Sequence, residues 1–349
     1  MVETSEHSFT GGESAGRNDA VKVLFLAGKG RSGGSLLANL LGQLPGFFNV
    51  GELNNLWDWG LVNNYRCGCG LPVRECPTWQ AILTEADRLL GDSPLVPLAD
   101  ARIDRDQAAV VRWPNLVRLL LARVDRRDRW KALERYTTAT AAVYRAIVNV
   151  TGARVIVDSS RLPIEPIGLG LVPGVDVRIG HLVRDPRAVS FSWKRKKLLT
   201  DRDSGEHMDT FGASFTTVSW VARNFVVELL TRRHTSTLLQ YDELARDPAA
   251  VLRSLADLIG EPAGSLDFLS SGTATVVPTH SVGGNPDRMT SGKVVIKPDE
   301  EWRAGISKRD RVVTTLIALP LLRRYGFPVW DLSSTPPHGN SSPSARRSA

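Results

Sequence analysis

Residues 21–52 read VKVLFLAGKGRSGGSLLANLLGQLPGFFNVGE, and the fold class follows from them. Positions 21–27 are a short apolar run rich in Val, Leu and Phe that ends at a glycine, the pattern of a buried strand. Gly28, Gly30, Gly33 and Gly34 crowd the loop that follows, and Ser35 opens an apolar-periodic helix over 36–44. Strand, glycine loop and helix N-terminus together present backbone N–H groups and a positive dipole end to an anion. Arg31 and Ser35 add a guanidinium fork and a hydroxyl at the same place. A second short strand is expected over 47–50, closed by Gly51 and Glu52.

Further strands are expected over 154–157, 175–183 and 235–241, alternating with helices over 136–150, 187–193, 218–230, 249–259 and 308–325. Such alternation implies an α/β fold, a mainly parallel central sheet flanked by helices in three layers. Residues 53–135 carry no strand signal. Their Trp residues, a cysteine segment, a helical run over 110–124 and an Arg-rich helix over 115–129 read as a helical insertion over one sheet edge, a candidate acceptor cap. Residues 1–19 and 332–349 are polar, rich in Gly, Ser or Pro, and are expected to be disordered tails on a body of 20–331. Asp158-Ser159-Ser160-Arg161-Leu162-Pro163 bunches polar groups at a strand's carboxyl end, where open α/β sheets take ligands.

The 349 residues are 42% hydrophobic with a formal net charge of +7. No apolar run reaches the roughly 18 residues of a membrane span, and the N-terminus lacks a signal-peptide pattern, so a cytoplasmic protein is expected. The excess positive charge suits an anionic ligand. Lys and Arg are spread along the chain with no basic run interleaved with aromatics, which argues against nucleic acid as a partner. Cys67, Cys69 and Cys76 are the only cysteines. An odd, sparse set argues against a disulfide scaffold, C-x-C-x6-C is not a common zinc spacing, and no His lies in that stretch. Reduced structural thiols are the preferred reading, with no metal assigned.

The glycine loop has three possible owners. Gly28 to Gly33 is literally G-x-G-x-x-G, and Glu52 stands about 20 residues on, as an NAD(P)-dependent oxidoreductase would need. A nucleoside-triphosphate loop fits less well, because Gly34 occupies the place of its Lys. The net charge keeps a non-catalytic nucleotide- or polyanion-binding protein in play.

The segment His181-Leu182-Val183-Arg184-Asp185-Pro186-Arg187-Ala188-Val189-Ser190-Phe191-Ser192-Trp193 closely resembles the 3′-phosphate segment of sulfotransferases that use 3′-phosphoadenosine 5′-phosphosulfate. In that family an Arg at the strand end and a Ser eight residues later hold the nucleotide's 3′-phosphate; here these are Arg184 and Ser192. A strand-end guanidinium and a hydroxyl two helical turns on can converge on one phosphate. Gly30, Arg31, Ser32, Gly33, Gly34 and Ser35 then resemble the family's 5′-phosphosulfate loop, with Gly34 replacing a common hydroxyl residue. Leu239-Gln240-Tyr241-Asp242-Glu243-Leu244 with Asp247-Pro248 is similar to its "YEDL…DP" turn. His280-Ser281-Val282-Gly283-Gly284-Asn285-Pro286-Asp287-Arg288 is similar to the "SGNPxR" segment of bacterial members, which implies a nucleotide-side role for Arg288.

The resemblance covers about 20–330 and implies a P-loop-like fold. It also implies sulfuryl transfer to a hydroxyl on a carbohydrate, lipid or small metabolite, without a required metal. Arg31 is the candidate for stabilising the leaving phosphosulfate. Some relatives place a His on the loop that here carries Arg161, which cannot serve as a base. Others use a Glu shortly after the first helix, and Glu52 stands there. Arg161 is an alternative contact for the sulfuryl oxygens. His181 and Trp220 read as structural, and Asn224, four residues after Trp220, as a possible nucleotide contact.

Overall fold

The structure, a computed structural model, describes residues 20–122, 124–160, 165–202, 205–232 and 234–329. The two expected tails and Arg161, Leu162 and Pro163 lie outside the described residues. Strands β1 (Val21–Ala27), β2 (Phe47–Gly51), β3 (Val155–Asp158), β4 (Val175–Val183) and β5 (Ser236–Gln240) form one sheet in the order β2-β3-β1-β4-β5. Every pairing is parallel. The central β1 explains why its sequence is apolar throughout rather than alternating: both of its faces are buried. Val21, Val23, Phe25 and Ala27 enter one core, and Leu24 and Leu26 enter the other.

The helices supply those two cores. In chain order they are α1 (Gly34–Leu41), α2 (Pro77–Leu90), α3 (Ile103–Val110), α4 (Leu116–Leu121), α5 (Lys131–Thr151) and α6 (Glu165–Leu169). There follow α7 (Pro186–Trp193), α8 (Ala213–Thr231), α9 (Tyr241–Arg246), α10 (Pro248–Ile259), α11 (Glu301–Gly305) and α12 (Lys308–Arg324). Leu37, Leu40 and Leu41 of α1 and Val251, Leu252, Leu255 and Ile259 of α10 pack with Leu24 and Leu26. Tyr136, Val143, Tyr144 and Ile147 of α5 pack with the opposite set, together with Trp79 and Ile82 of α2. The chain is thus an α/β three-layer fold with a parallel central sheet.

Two features depart from the sequence reading. The apolar run 110–124 is not one helix: α3 ends at Val110 and α4 starts at Leu116. Pro114 lies between them, and a proline interior to that run would remove an amide donor and clash with the preceding turn. The same break confines the Arg-rich stretch 115–129 to the short α4 and a 3-10 turn, Val124–Arg129. The second feature is a small antiparallel sheet of β6 (Leu269–Ser270), β7 (Thr273–Val276) and β8 (Gly292–Val295). Its strands are too short to generate a legible alternation, and one connection is long.

At the amino edge of the sheet Glu261 accepts hydrogen bonds from Lys22 (2.6 Å) and Arg154 (2.8 Å), tying the start of β1 to the residue before β3. The Lys22 hydrogen bond, opposed by burial and aided by Arg154, holds the Glu261 carboxyl below its ordinary value. A carboxyl lowered on folding stabilises the fold at pH values above its unfolded value and loses that contribution as pH falls through the folded one. Glu261→Gln is therefore expected to cost about 0.5–1 kcal/mol at pH 7, with the difference from wild type vanishing in acid. Urea titrations at pH 7 and pH 3 measure it.

At the carboxyl edge Gly28 leaves β1 at φ +143°, and a Cβ there would lie 2.3 Å from the Leu182 carbonyl oxygen of β4. Backbone cannot yield as a side-chain tip can, so Gly28→Ala is expected to destabilise the fold by about 2–3 kcal/mol or more. Chemical denaturation reads this directly.

Candidate functional site

The loop after β1 and the end of β4 form the floor of a cleft of about 540 Å³. Gly33 precedes α1 in the left-handed region at φ +95°, where a Cβ would strike the Tyr241 ring at 2.6 Å. Arg31 also sits at φ +73°, a strained setting for a non-glycine residue. Packing holds it there. Trp193 donates from Nε1 to the Gly30 carbonyl (3.1 Å), and its ring lies 5.3 Å from the Arg31 guanidinium and 4.9 Å from the Lys29 ammonium. Lys29 is buried and donates to Ser219 Oγ (3.0 Å). Below the loop, the buried Ser32 hydroxyl has no hydrogen-bond partner among the described residues.

Arg184 ends β4 on the other side of the cleft. Its guanidinium lies 4.2 Å from the Tyr241 ring centroid and donates to the Arg31 carbonyl (3.2 Å) and to Asp299 Oδ2 (2.8 Å). Burial would raise the Asp299 carboxyl, but the hydrogen bond and charge of Arg184 outweigh it and hold it below the ordinary range. The sequence Asp185-Pro186-Arg187 builds the turn into α7. Asp185 accepts from the Arg187 backbone N–H (2.8 Å), Pro186 occupies the first helical turn, and the buried Arg187 side chain returns to Asp185 (2.6 Å). That turn presents Ser192 to the cleft.

Six sequence-expected residues line this cleft: Arg31, Gly33, Gly34, Ser35, Arg184 and Ser192. Gly34 faces open space, and a Cβ there would meet none of the described residues within 4 Å. Gly30 and Ser32 support the loop from behind rather than lining the cleft. Glu52 and Arg288 lie elsewhere. They line a second cavity of about 10 Å³, room for about one water, with Ser159 and Gly284. Ser35 and Asn39 line both spaces, so they form the partition between Glu52 and the cleft.

Glu52 is buried, and its Oε2 accepts from Asn55 Nδ2 (3.0 Å). Arg288 is buried as well, donating to the Ser281 (3.2 Å) and Arg66 (2.7 Å) carbonyls and to Asp201 (3.4 Å). Burial pushes its guanidinium below the usual value, against the attraction of Asp201, Cys67 and Glu52. At the end of β3, Asp158 accepts from Tyr144 Oη (2.6 Å) and the Ser160 N–H (2.8 Å), while burial pushes its carboxyl up. Ser160 in turn accepts from the Asn54 N–H (3.1 Å), which joins the β3 end to the turn after Glu52.

His181 Nε2 meets Asn224 Oδ1 at 2.8 Å inside the sheet, and Trp220 is fully buried against Tyr325. Asn224 is thereby engaged in the core and does not line the cleft. The sequence reading passed over Arg195, Lys196 and Lys197, which line the cleft just beyond Ser192. Their signal was present in the basic run 194–197 after the helix. Asp299 and Asn39 carried no such signal.

No protein-family model matches the sequence. Over 108 residues the chain is 34% identical to Carbohydrate sulfotransferase 5 of Mus musculus, a match covering 25% of this chain and 26% of that protein. The chain therefore aligns with about a quarter of the length of that curated relative. Among solved structures, the sulfotransferase domain from the Synechococcus PCC 7002 olefin synthase is 18% identical, with a TM-score of 0.47 over 87% of this chain and 95% of that one. The sulfotransferase domain from the curacin biosynthetic pathway is 16% identical, with a TM-score of 0.45 over 88% of this chain and 99% of that one. It is to sulfotransferases that this chain is similar.

Proposed function

We propose that the protein transfers a sulfuryl group from 3′-phosphoadenosine 5′-phosphosulfate to an acceptor hydroxyl. The observation that carries this reading is one cleft that brings the glycine loop and the end of β4 together. Arg31 and the N-terminus of α1 line it together with Arg184, Ser192 and the 195–197 run. A donor with phosphate groups on both the 5′ and 3′ positions of one ribose calls on both the loop and the strand-end cations; NAD needs only the loop. The donor set fits as well: backbone N–H groups, hydroxyls and guanidinium forks are the partners that phosphate oxygens take.

Bound in the cleft, the nucleotide would supply an activated sulfuryl group on a phosphate leaving group. Gly33, Gly34 and Ser35 would hold the 5′-phosphate at the helix N-terminus, and Arg184 and Ser192 the 3′-phosphate. Arg31 neutralises charge that develops on the leaving phosphate oxygen. The acceptor oxygen bonds to sulfur as the sulfur–oxygen bond to phosphate breaks, and the acceptor's proton passes to a base. Glu52 is that base in this reading; it lies behind Ser35 and Asn39, with Asn55 donating to its carboxylate. The insertion 53–135 is proposed to present the acceptor, a carbohydrate, lipid or small metabolite. The local similarity to a carbohydrate sulfotransferase supports the hydroxyl class of acceptor.

Isothermal titration with 3′,5′-adenosine bisphosphate is expected to give one site per chain, and Arg184→Ala to weaken it about 10- to 100-fold through loss of charge-assisted hydrogen bonds. Stabilisation by NAD but not by the bisphosphate would overturn the proposal. Glu52→Gln keeps the Asn55 partner and removes the proton acceptor. It is expected to lower kcat by about 10²- to 10⁴-fold with bisphosphate affinity unchanged. Intact turnover in that variant would remove Glu52 as base and leave the activity standing.

A further inference from the structure

Cys67, Cys69 and Cys76 remain unused by the chemistry above, and the structure gives them a fourth partner that the sequence did not. His280, 204 residues beyond Cys76, turns its Nδ1 toward their sulfurs. The distances are 3.3 Å from Cys76 Sγ and 3.9 Å from Cys67 Sγ, with Cys69 Sγ 3.7 Å from Cys76 Sγ. All four ligand atoms lie within 4.8 Å of one another. A tetrahedral zinc ion with ordinary Zn–S and Zn–N bonds sets sulfurs about 3.8 Å apart and sulfur and nitrogen about 3.6 Å apart. We propose that Cys67, Cys69, Cys76 and His280 form a structural Cys3His zinc site.

The surroundings favour a metal over either bland alternative. A disulfide would need sulfurs about 2 Å apart, and none of the three cysteines is in one. Plain core thiols would not require an imidazole with one nitrogen aimed among them. The other nitrogen, Nε2, lies 3.2 Å from Thr78 Oγ1, the kind of contact that fixes the tautomer of a ligating histidine. Trp79 Nε1 donates to the His280 carbonyl (2.8 Å), and the His280 ring stacks on Phe48. Cys76 immediately precedes α2, so a zinc-bound thiolate there would stand at the positive end of that helix. Cys67 and Cys76 are buried while Cys69 and His280 are half-buried, which leaves a route for the ion. Three thiolates and one imidazole with no open position suit structural zinc rather than a hard cation.

The site would act as a staple. It joins the start of the insertion to the segment that closes the Glu52 cavity. Beside it Gly68 N–H donates to the Ser281 carbonyl (2.9 Å), and Arg288 reaches the Arg66 carbonyl. One residue on, Val282 brackets the end of β2, donating to Val50 O and accepting from Glu52 N–H, each at 2.8 Å. Linking positions so distant in sequence stabilises chiefly by restricting the unfolded chain. The proposal stands independently of the sulfuryl-transfer reading.

The full chain, purified without chelator under reducing conditions and reconstituted with zinc, is expected to retain about one zinc per chain by elemental mass spectrometry. Cobalt(II) in its place should give thiolate-to-cobalt charge-transfer absorption and tetrahedral ligand-field bands. Zinc should raise Tm by about 5 °C or more and shield all three thiols from alkylation until it is chelated. Cys76→Ser and His280→Gln should lose the cobalt charge-transfer intensity or the stoichiometric zinc. Because those variants can fail to fold, the wild-type alkylation and cobalt spectra decide the matter. A folded wild-type chain that binds no stoichiometric zinc, or cobalt without a thiolate band, overturns the site.

Discussion

The approach of Gly28 to the Leu182 carbonyl is the constraint on which the rest of the site depends. It lets the loop after β1 fold down over the carboxyl end of β4 instead of arching into solvent. Arg184, two residues after Leu182, can then donate to the Arg31 carbonyl, and the two cationic groups share one cleft. Tyr241 completes the arrangement from β5's end. Its ring fills the space against Gly33 and carries the Arg184 guanidinium on its face. Three parallel strands thus deliver their carboxyl ends to one spot, which is where ligands gather in open α/β sheets.

Charge in the cleft is net positive but partly paired. Arg184 is paired with Asp299, Lys197 with Asp287, and Arg195 with Glu301. Paired guanidiniums keep fixed directions, since a desolvated Arg without a partner would be costly to hold in place. The Glu52 cavity is organised differently. There Arg288 and Asp201 are both buried, and the 279–288 segment is pinned to β2 through Val282. Glu52 and Arg288, which the sequence reading assigned to base and nucleotide contact, lie together behind Ser35 and Asn39.

Legibility followed the range of the forces involved. β1 and β4 have the bounds expected from their runs, β2, β3 and β5 fall within one residue of them, and α5 and α8 start five residues earlier than expected. Burial on both faces writes itself into a continuous apolar run, and turns announce themselves through glycine and proline. The small sheet is not legible because β6 spans only two residues and β8 reaches β7 across a long connection. Pro114 was present in the sequence, and its apolar neighbours masked the break it imposes between α3 and α4.

By itself the sequence determined the α/β layering and the glycine loop between β1 and α1, because each rests on patterning within one local stretch, while Arg184 and Ser192 stood out through resemblance to a family segment. Only the tertiary structure decided which distant groups meet. Asp299 on Arg184, the partition before Glu52 and His280 among three cysteines all join residues with no local relation in the chain. Such pairings are set by loop closure and by packing of separate elements, and no periodicity records them.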